Sequence, residues 1–460
     1  MHKQKLAFNQ PTQPAPQIDI AGGLCQNKKK EPAAFGRPLS RKQVIVLPYN
    51  NAIFKQLPPM VEQVLTRLTA RGYQAFLVGG CVRDALLGHT PKDWDIATNA
   101  PPEATEACFA DYPLVLAGRK HGTIGVVMGK NAKKNVIEVT TYRVDGAYTD
   151  HRHPDEVVFT PRLEEDLARR DFTVNAMAWS PQTGLQDCFA GWADLQAGVV
   201  RCVGQPERRF REDALRIVRG ARFASTLGFV IEEETRMAME NLCHLLDYVA
   251  TERIVTELHK ALAGAAFADT FANLPELFYC IFKELTPDKA GLQQALAEVD
   301  KAPMEAAMRL ALLFGAMAPE PLGAARAFLV RLRLDKATTK MVLFLLANKN
   351  VEIAAKEVAI KQWLRDVGPE DLQRLLRLQG VYQPEEAQKK LAMMEEIIDQ
   401  GQCYQLADLA INGGDLLALG MAPGADVGRV LESLLEAVIR GEVGNNREDL
   451  LALVRGMTGE

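Results

Sequence analysis

Four apolar residues, Ala75-Phe76-Leu77-Val78, run straight into Gly79-Gly80. A run this short and this apolar reads as a buried strand, and the paired glycines force a turn directly after it. A helix is expected next, from about Val82 to Leu87, and Asp93-Trp94-Asp95 follows on a strand around Trp94 to Ala97. Alternate strand residues face one way, so Asp93 and Asp95 should project to the same side, about 7 Å apart along the backbone. Carboxylates so placed can hold Mg²⁺, which activates an attacking hydroxyl and neutralises a departing pyrophosphate. Gly79 and Gly80 let backbone N–H groups approach a triphosphate at a helix start, and Arg83 adds charge. Glu138, within the β-rich run Val136–Tyr142, is the best-placed third carboxylate. Singly, a D-x-D is commonly a solvated strand end and a Gly-Gly only a turn. In this order they favour nucleotidyl transfer.

Two further clusters carry charge in a pattern. In Arg169-Arg170-Asp171-Phe172-Thr173-Val174-Asn175, adjacent arginines can clamp phosphate and ribose, with Asp171 orienting the guanidinium groups. The plainer reading is a charged helix start. In Glu212-Asp213-Ala214-Leu215-Arg216, helical spacing makes Asp213 and Arg216 neighbours on one face, and Arg219 and Arg222 continue the stripe. Leu215, Val218 and Phe223 are expected to bury this helix against the first unit, aiming the polar stripe into the cleft between units.

The rest of the chain sorts by pattern. Residues 1–45, rich in Gln, Pro, Lys and Ala, have the composition of a disordered extension. Residues 46–180 mix strand and helix signals. Beyond about 205 strand signals stop, and apolar residues recur at three and four spacing to the end. The expected organisation is an α/β head (46–180), a neck with the charged stripe (181–268), a helical body (269–400) and a helical tail (401–460). With 54 Lys+Arg against 58 Asp+Glu in 460 residues, a nucleic-acid partner must be held by local basic groups rather than a global field. The 8 cysteines form no C-x-x-C and the 7 histidines have no zinc spacing beside them, which fits a reducing cytoplasm. No apolar stretch approaches the roughly 20 residues of a membrane span, and no signal-peptide core is seen.

At the three clusters the chain resembles the class II tRNA nucleotidyltransferases, the CCA-adding enzymes, together with the related bacterial poly(A) polymerases. The patterns G-G-x-V-R-D…D-x-D, R-R-D-F-T-x-N-A and E-D-x-x-R-x-x-R-x-x-R stand in family order between Val78 and Phe229. Ala410-Ile411-Asn412-Gly413-Gly414-Asp415, continuing to Ile439–Val443, is similar to the tail of the CCA-adding branch. The resemblance implies an α+β chain, with a polymerase β-type head of mixed sheet and helices followed by an all-helical neck, body and tail that binds tRNA. It implies Mg²⁺-dependent, untemplated addition of C, C and A to tRNA from CTP and ATP. Asp93 and Asp95 would bind Mg²⁺; Gly80, Arg83, Arg170, Arg219 and Arg222 would hold triphosphate and sugar; Asp213 and Arg216 would read the base. Hydrogen bonding supports the last assignment. Cytosine and adenine each offer an amino donor beside a ring-nitrogen acceptor, matching a carboxylate and a guanidinium, whereas uracil and guanine reverse both positions. Alternatives are an A-adding or CC-adding enzyme, a poly(A) polymerase, or a catalytically silent RNA-binding module; the last is disfavoured by intact Asp93 and Asp95. The polar stretch Arg143–Arg152 resembles a flexible loop that CC-only enzymes lack.

Overall fold

A computed structural model describes residues 57–128, 136–145, 157–286 and 288–458, together with Val44–Ile45 and Phe54. Its strands are β1 (Val44–Ile45), β2 (Ala75–Val78), β3 (Asp95–Thr98), β4 (Leu114–Val115), β5 (Thr123–Val127), β6 (Val136–Thr141), β7 (Arg143–Asp145), β8 (Val157–Phe159), β9 (Met177–Ser180), β10 (Gly184–Asp187), β11 (Val199–Val200) and β12 (Val230–Ile231). One sheet has the order β1-β10-β9-β2-β3-β6-β5-β4, antiparallel except where β3 runs parallel to β6. All four residues of β2 are buried, as a strand covered on both faces must be. In β6 the alternation is clean, with Ile137, Val139 and Thr141 inward and Glu138 outward. The helix Pro59–Ala70 closes one face with Val61, Val64, Leu65 and Leu68, and the other face packs Phe76, Val78, Tyr142 and Leu167.

Several expectations shift. β3 begins at Asp95, where pairing to Glu138 starts, so Asp93 lies in the preceding bend rather than on the strand. The helix after the glycines starts at Gly80 rather than Val82, because Gly79, at φ 75°, makes the whole turn by itself. Val44–Ile45, expected in the extension, pair with β10, and β10 carries the sheet to Asp187, past the expected head boundary at 180. Strand pairing also persists beyond 205: β12 lies parallel to β11. The rest of the 1–45 extension lies outside the described residues.

After the sheet the chain is helical. Helix Leu215–Leu227 lies against helix Thr251–Leu262, and one continuous core runs from Cys202 through the neck into the body as far as Ile397. The body is centred on Phe271, Phe278, Phe282, Phe314 and Phe328, with Phe282 stacked on Phe278 at 4.5 Å and on Phe328 at 5.0 Å. The tail has its own core of Leu416, Leu434, Leu435, Ile439, Leu450 and Val454. Among the described residues no helix is long and apolar enough to cross a membrane. Cys243 and Cys280 form a disulfide across a separation of 37 residues, which the scattered cysteine pattern did not announce.

Phe282→Ala empties the middle of the aromatic stack. It is expected to cost roughly 3–5 kcal/mol and to lower the urea midpoint of the helical body, followed by near-UV circular dichroism. An unchanged midpoint would show that the stack does not hold the body together.

Candidate active site

The site assembles where β2 ends and the parallel strands β3 and β6 begin, beside the neck helix. β3 and β6 are parallel, with Asp95 opposite Glu138, so the two carboxylates share one face of the sheet. Asp95 keeps an open side to solvent, yet protein crowds its carboxyl, and with Glu138 and Asp93 nearby its pKa is pushed up to about 6; Arg170 opposes the shift. Asp93 therefore reaches the same locality from the bend. Among the described residues no three His, Cys, Asp or Glu side chains close around one point. The all-oxygen set fits a hard divalent cation completed by phosphate oxygens, the usual form of Mg²⁺ sites.

Gly79 is the hinge between the carboxylates and the arginines. Its φ of +75° is one that side chains resist, so the backbone favours glycine, and a Cβ there would stand 2.7 Å from an Arg170 guanidinium nitrogen and push it aside. Arg83, on the first turn of the helix Gly80–Leu86, donates to Asp84 at 2.9 and 2.7 Å and to Asn175 at 2.6 Å.

The orientation of Arg169 and Arg170 differs from expectation. Both come off the end of helix Leu163–Ala168, and the residue one turn back, Asp166, holds Arg169 at 2.8 Å and Arg170 at 3.3 Å. Burial would raise the Asp166 pKa, but Arg169 and Arg170 outweigh it and hold the carboxyl below the ordinary range. Among the described residues the buried Nε of Arg170 finds no hydrogen-bond partner. Asp171 turns the other way. It accepts from Phe172 N–H and Asn175 and pairs with Arg219 of the neck helix at 2.6 Å. Burial raises its pKa, yet Arg219 together with the Asn175 and Phe172 hydrogen bonds brings it down to about 2.

The third cluster is not one helix. Helix Pro206–Glu212 stops, Asp213 is extended (φ −142°, ψ 103°), and helix Leu215–Leu227 begins after Ala214. The side chains of Asp213 and Arg216 are consequently not paired with each other, although Arg216 N–H donates to the Asp213 carbonyl at 3.1 Å. Asp213 accepts from Leu215 N–H and binds Arg253 at 3.0 Å, while Arg216 binds Glu212 at 3.1 Å and donates to the Arg169 carbonyl at 3.0 Å. Burial opposes ionisation of Glu212, but Arg209 and Arg216 keep its pKa below the usual range. Arg219 and Arg222 both reach Glu257, at 3.6 and 2.8 Å, and Arg222 lies 3.5 Å over the ring of Phe223. Phe223 does bury against the head, edge-on to Phe172, whereas Leu215 and Val218 face the neck and body core instead.

The fold thus brings all three clusters together: Arg170 near Asp95, Asp171 on Arg219, and Arg169 on Arg216. Asp166, Arg253 and Glu257 were missed as partners by reading the sequence. Arg253 and Glu257 are four apart on the helix Thr251–Leu262, a spacing that puts them on one face, and this was the available signal. Of the stretch Arg143–Arg152, Arg143–Asp145 is β7 and the remainder lies outside the described residues.

Carboxylates on one face of the sheet, a glycine turn and arginines gathered between the head and the neck helix are the features of a nucleotidyltransferase. Residues 75–201 match the family described as Poly A polymerase head domain, 228–288 that of an RNA and SrmB-binding site of polymerase A, and 308–454 that of tRNA nucleotidyltransferase domain 2. The CCA-adding enzyme of Streptococcus pneumoniae (strain CGSP14) is 35% identical over 402 residues, 85% of this chain and 96% of its own length. That of Enterococcus faecalis is 34% identical, covering 87% of this chain and 96% of its own. The structure of the Bacillus stearothermophilus CCA-adding enzyme in complex with CTP superposes with a TM-score of 0.70 at 30% identity, over 87% of this chain and 98% of that one. The Thermotoga maritima enzyme complexed with tRNA shares the fold, at a TM-score of 0.60 and 20% identity over 88% of this chain and 97% of that one. The chain belongs to the CCA-adding enzyme family.

The raised Asp95 pKa has a stability consequence in metal-free protein. Its ordinary value is 3.8 and its folded value about 6, so the ionised carboxylate penalises the fold above pH 6, and the penalty is relieved as pH falls and the folded state takes up the proton first. Asp95→Asn should therefore be more resistant to urea than the parent near about pH 7.5, with the advantage shrinking toward about pH 4.5. Equal advantage at both pH values would show that Asp95 is not perturbed.

Proposed function

We infer that the chain adds C, C and A to the 3′ end of tRNA from CTP and ATP, without a nucleic-acid template and with release of pyrophosphate. The observation that carries this reading is the match to CCA-adding enzymes along 96% of a relative's length, head to tail, rather than over the polymerase-like head alone.

Asp93 and Asp95 are proposed to hold Mg²⁺, which when bound draws charge from the transferring phosphoryl group. Glu138, in register with Asp95, supplies the third carboxylate at the site of attack by the tRNA 3′-hydroxyl. Gly79 and Gly80 keep the turn bare so that the triphosphate can approach backbone N–H groups. Arg83, Arg170, Arg219 and Arg222 oppose the charge of triphosphate and sugar. Their carboxylate partners hold them in place before the nucleotide arrives, so little reorganisation remains for the reaction. Arg169 and Asp171 tie the head to the neck helix.

Asp213 and Arg216 are proposed to read the base. A carboxylate offers about four lone-pair positions, so Asp213 can keep Arg253 and Leu215 N–H and still accept from a cytosine or adenine amino group. Arg216 supplies a donor to the ring nitrogen, with Glu212 setting its direction. UTP and GTP would oppose carbonyl to carboxylate and N–H to guanidinium.

Two sets of variants test this. Asp93→Asn and Asp95→Asn should abolish addition of both CTP and ATP while tRNA binding persists; residual addition within about tenfold of the parent would overturn the metal-site assignment. Asp213→Ala and Arg216→Ala should relax discrimination against UTP and GTP by about 1–3 kcal/mol. The measurement is kcat/KM for all four nucleotides on one shortened tRNA. Equal losses for all four would mean that the pair holds the helix and does not read bases.

A further inference from the structure

The row of residues that carries Asp95 and Glu138 does not end with them. Strand pairing sets Asp95 of β3 opposite Glu138 of β6, Glu138 opposite Gly125 of β5, and Gly125 opposite Val115 of β4. Directly opposed residues share a face, so a line that starts with two carboxylates continues on the same side of the sheet as a bare glycine and a valine. Strands lie about 4.8 Å apart, which places Val115 roughly 10 Å beyond Glu138. Val136, two residues before Glu138 on β6, shares this face. Gly125 is buried, and a Cβ on it would stand 2.9 Å from Val136 Cγ1 and 3.1 Å from Val115 Cβ. The two valines therefore close over the glycine, and they remain 45% and 39% exposed, Val115 and Val136 respectively. On the other side of the row, Thr123 and Thr140 are paired across β5 and β6 with their hydroxyls 3.0 Å apart.

The direction of nucleotidyl transfer assigns this surface a task. The triphosphate is placed at Gly79 and Gly80, which follow β2, and β2 and β6 flank β3 on opposite sides. In a displacement at phosphorus the attacking and leaving oxygens stand in line. With pyrophosphate departing toward β2 and Arg170, the attacking hydroxyl comes from the β6 side, over Glu138, Gly125 and Val115. The nucleotide that carries this hydroxyl changes during the reaction: it is first whatever the unfinished tRNA ends in, then the C just added. Its seat has to hold sugar and base without reading the base edge. None of the five residues is charged or carries an amide side chain, and contact with a valine is indifferent to the donor and acceptor pattern by which bases differ. The threonine hydroxyls, beyond the bond they share, keep hydrogen-bonding capacity for ribose or phosphate, contacts that fix position without sequence information.

We propose that Val115 and Val136, closed over Gly125, form the platform on which the 3′-terminal nucleotide of the tRNA lies, with Thr123 and Thr140 at its edge. The platform presupposes the addition reaction inferred above and names the residues that seat its RNA substrate. Gly125 sets the height of the floor, since any larger residue there would lift both valines toward the nucleotide.

The test uses the full chain and a tRNA that lacks its last residue and ends in thiouridine. On irradiation the terminal base should crosslink at Val115 or Val136 or a residue beside them, as mapped by mass spectrometry of the digested adduct. Val115→Asp and Val136→Asp put a charge at an exposed position of the surface. Each should raise KM for tRNA roughly tenfold or more, alike for tRNAs lacking one, two or three terminal residues. CTP affinity by calorimetry and the preference for CTP and ATP over UTP and GTP should stay at the parent's values, and Val136→Ile, which keeps the surface apolar, should recover most of the loss. Crosslinks elsewhere on the chain would overturn the platform, as would a tRNA KM that neither charged variant changes. Loss of CTP affinity in step with tRNA would also overturn it, by assigning the valines to the folding of the head. In each of these cases a parent that adds CTP and ATP keeps the reaction and loses only the platform; a parent that adds neither loses both.

Discussion

The carboxylate of Asp171 meets Arg219 across 48 residues of sequence, and this contact joins head and neck where the chemistry is placed. Withdrawn from water, either charge alone would be severely penalised; together, with Asn175 and the Phe172 N–H completing the carboxylate, they are stable in one geometry. That geometry sets the next layer. With Arg219 committed to Asp171, Glu257 is shared between Arg219 and Arg222, and Arg222 settles over Phe223, whose edge meets Phe172 beside the same Asp171. The ion pair and the aromatic contact fix the neck helix in both rotation and distance from the sheet.

A second constraint comes from the backbone of the head. Gly79 allows a turn that no other residue would take easily, and the missing Cβ leaves room for Arg170, whose guanidinium is drawn toward Asp95 and anchored by Asp166. Cations and anions face each other across the turn without collapsing into direct pairs, since each arginine is already held from behind. A nucleotide with its own phosphates, arriving with a divalent cation, supplies both missing charges at once.

Much of this was legible in the residues. Val78-Gly79-Gly80 declared a strand and a turn, the outward position of Glu138 followed from the alternation of β6, and the three charged clusters were recognisable in the residues alone. Helical periodicity marked the neck, body and tail because burying one stripe of a helix leaves a local signature every three or four residues. Asp93 and Asp95 stood out as a pair even though only Asp95 is on the strand.

What local pattern could not supply was partnership. Sequence placed Asp171 with its neighbours Arg169 and Arg170 and Asp213 with Arg216; in the folded chain Asp171 pairs with Arg219, Asp166 orients the two arginines, and Asp213 pairs with Arg253. The helix break at Asp213 is a single non-helical residue pair inside an otherwise helical pattern, invisible to periodicity. Charged side chains are long, and spacing along the chain says only which partners are nearby. Which of them is chosen depends on burial, since a carboxylate removed from water takes whichever guanidinium the packing of distant elements brings within reach. The sequence by itself determined the elements and the kinds of chemistry they carry, because these depend on near neighbours; only the tertiary structure decided which charge meets which, because that depends on how sheet and helices exclude water between them.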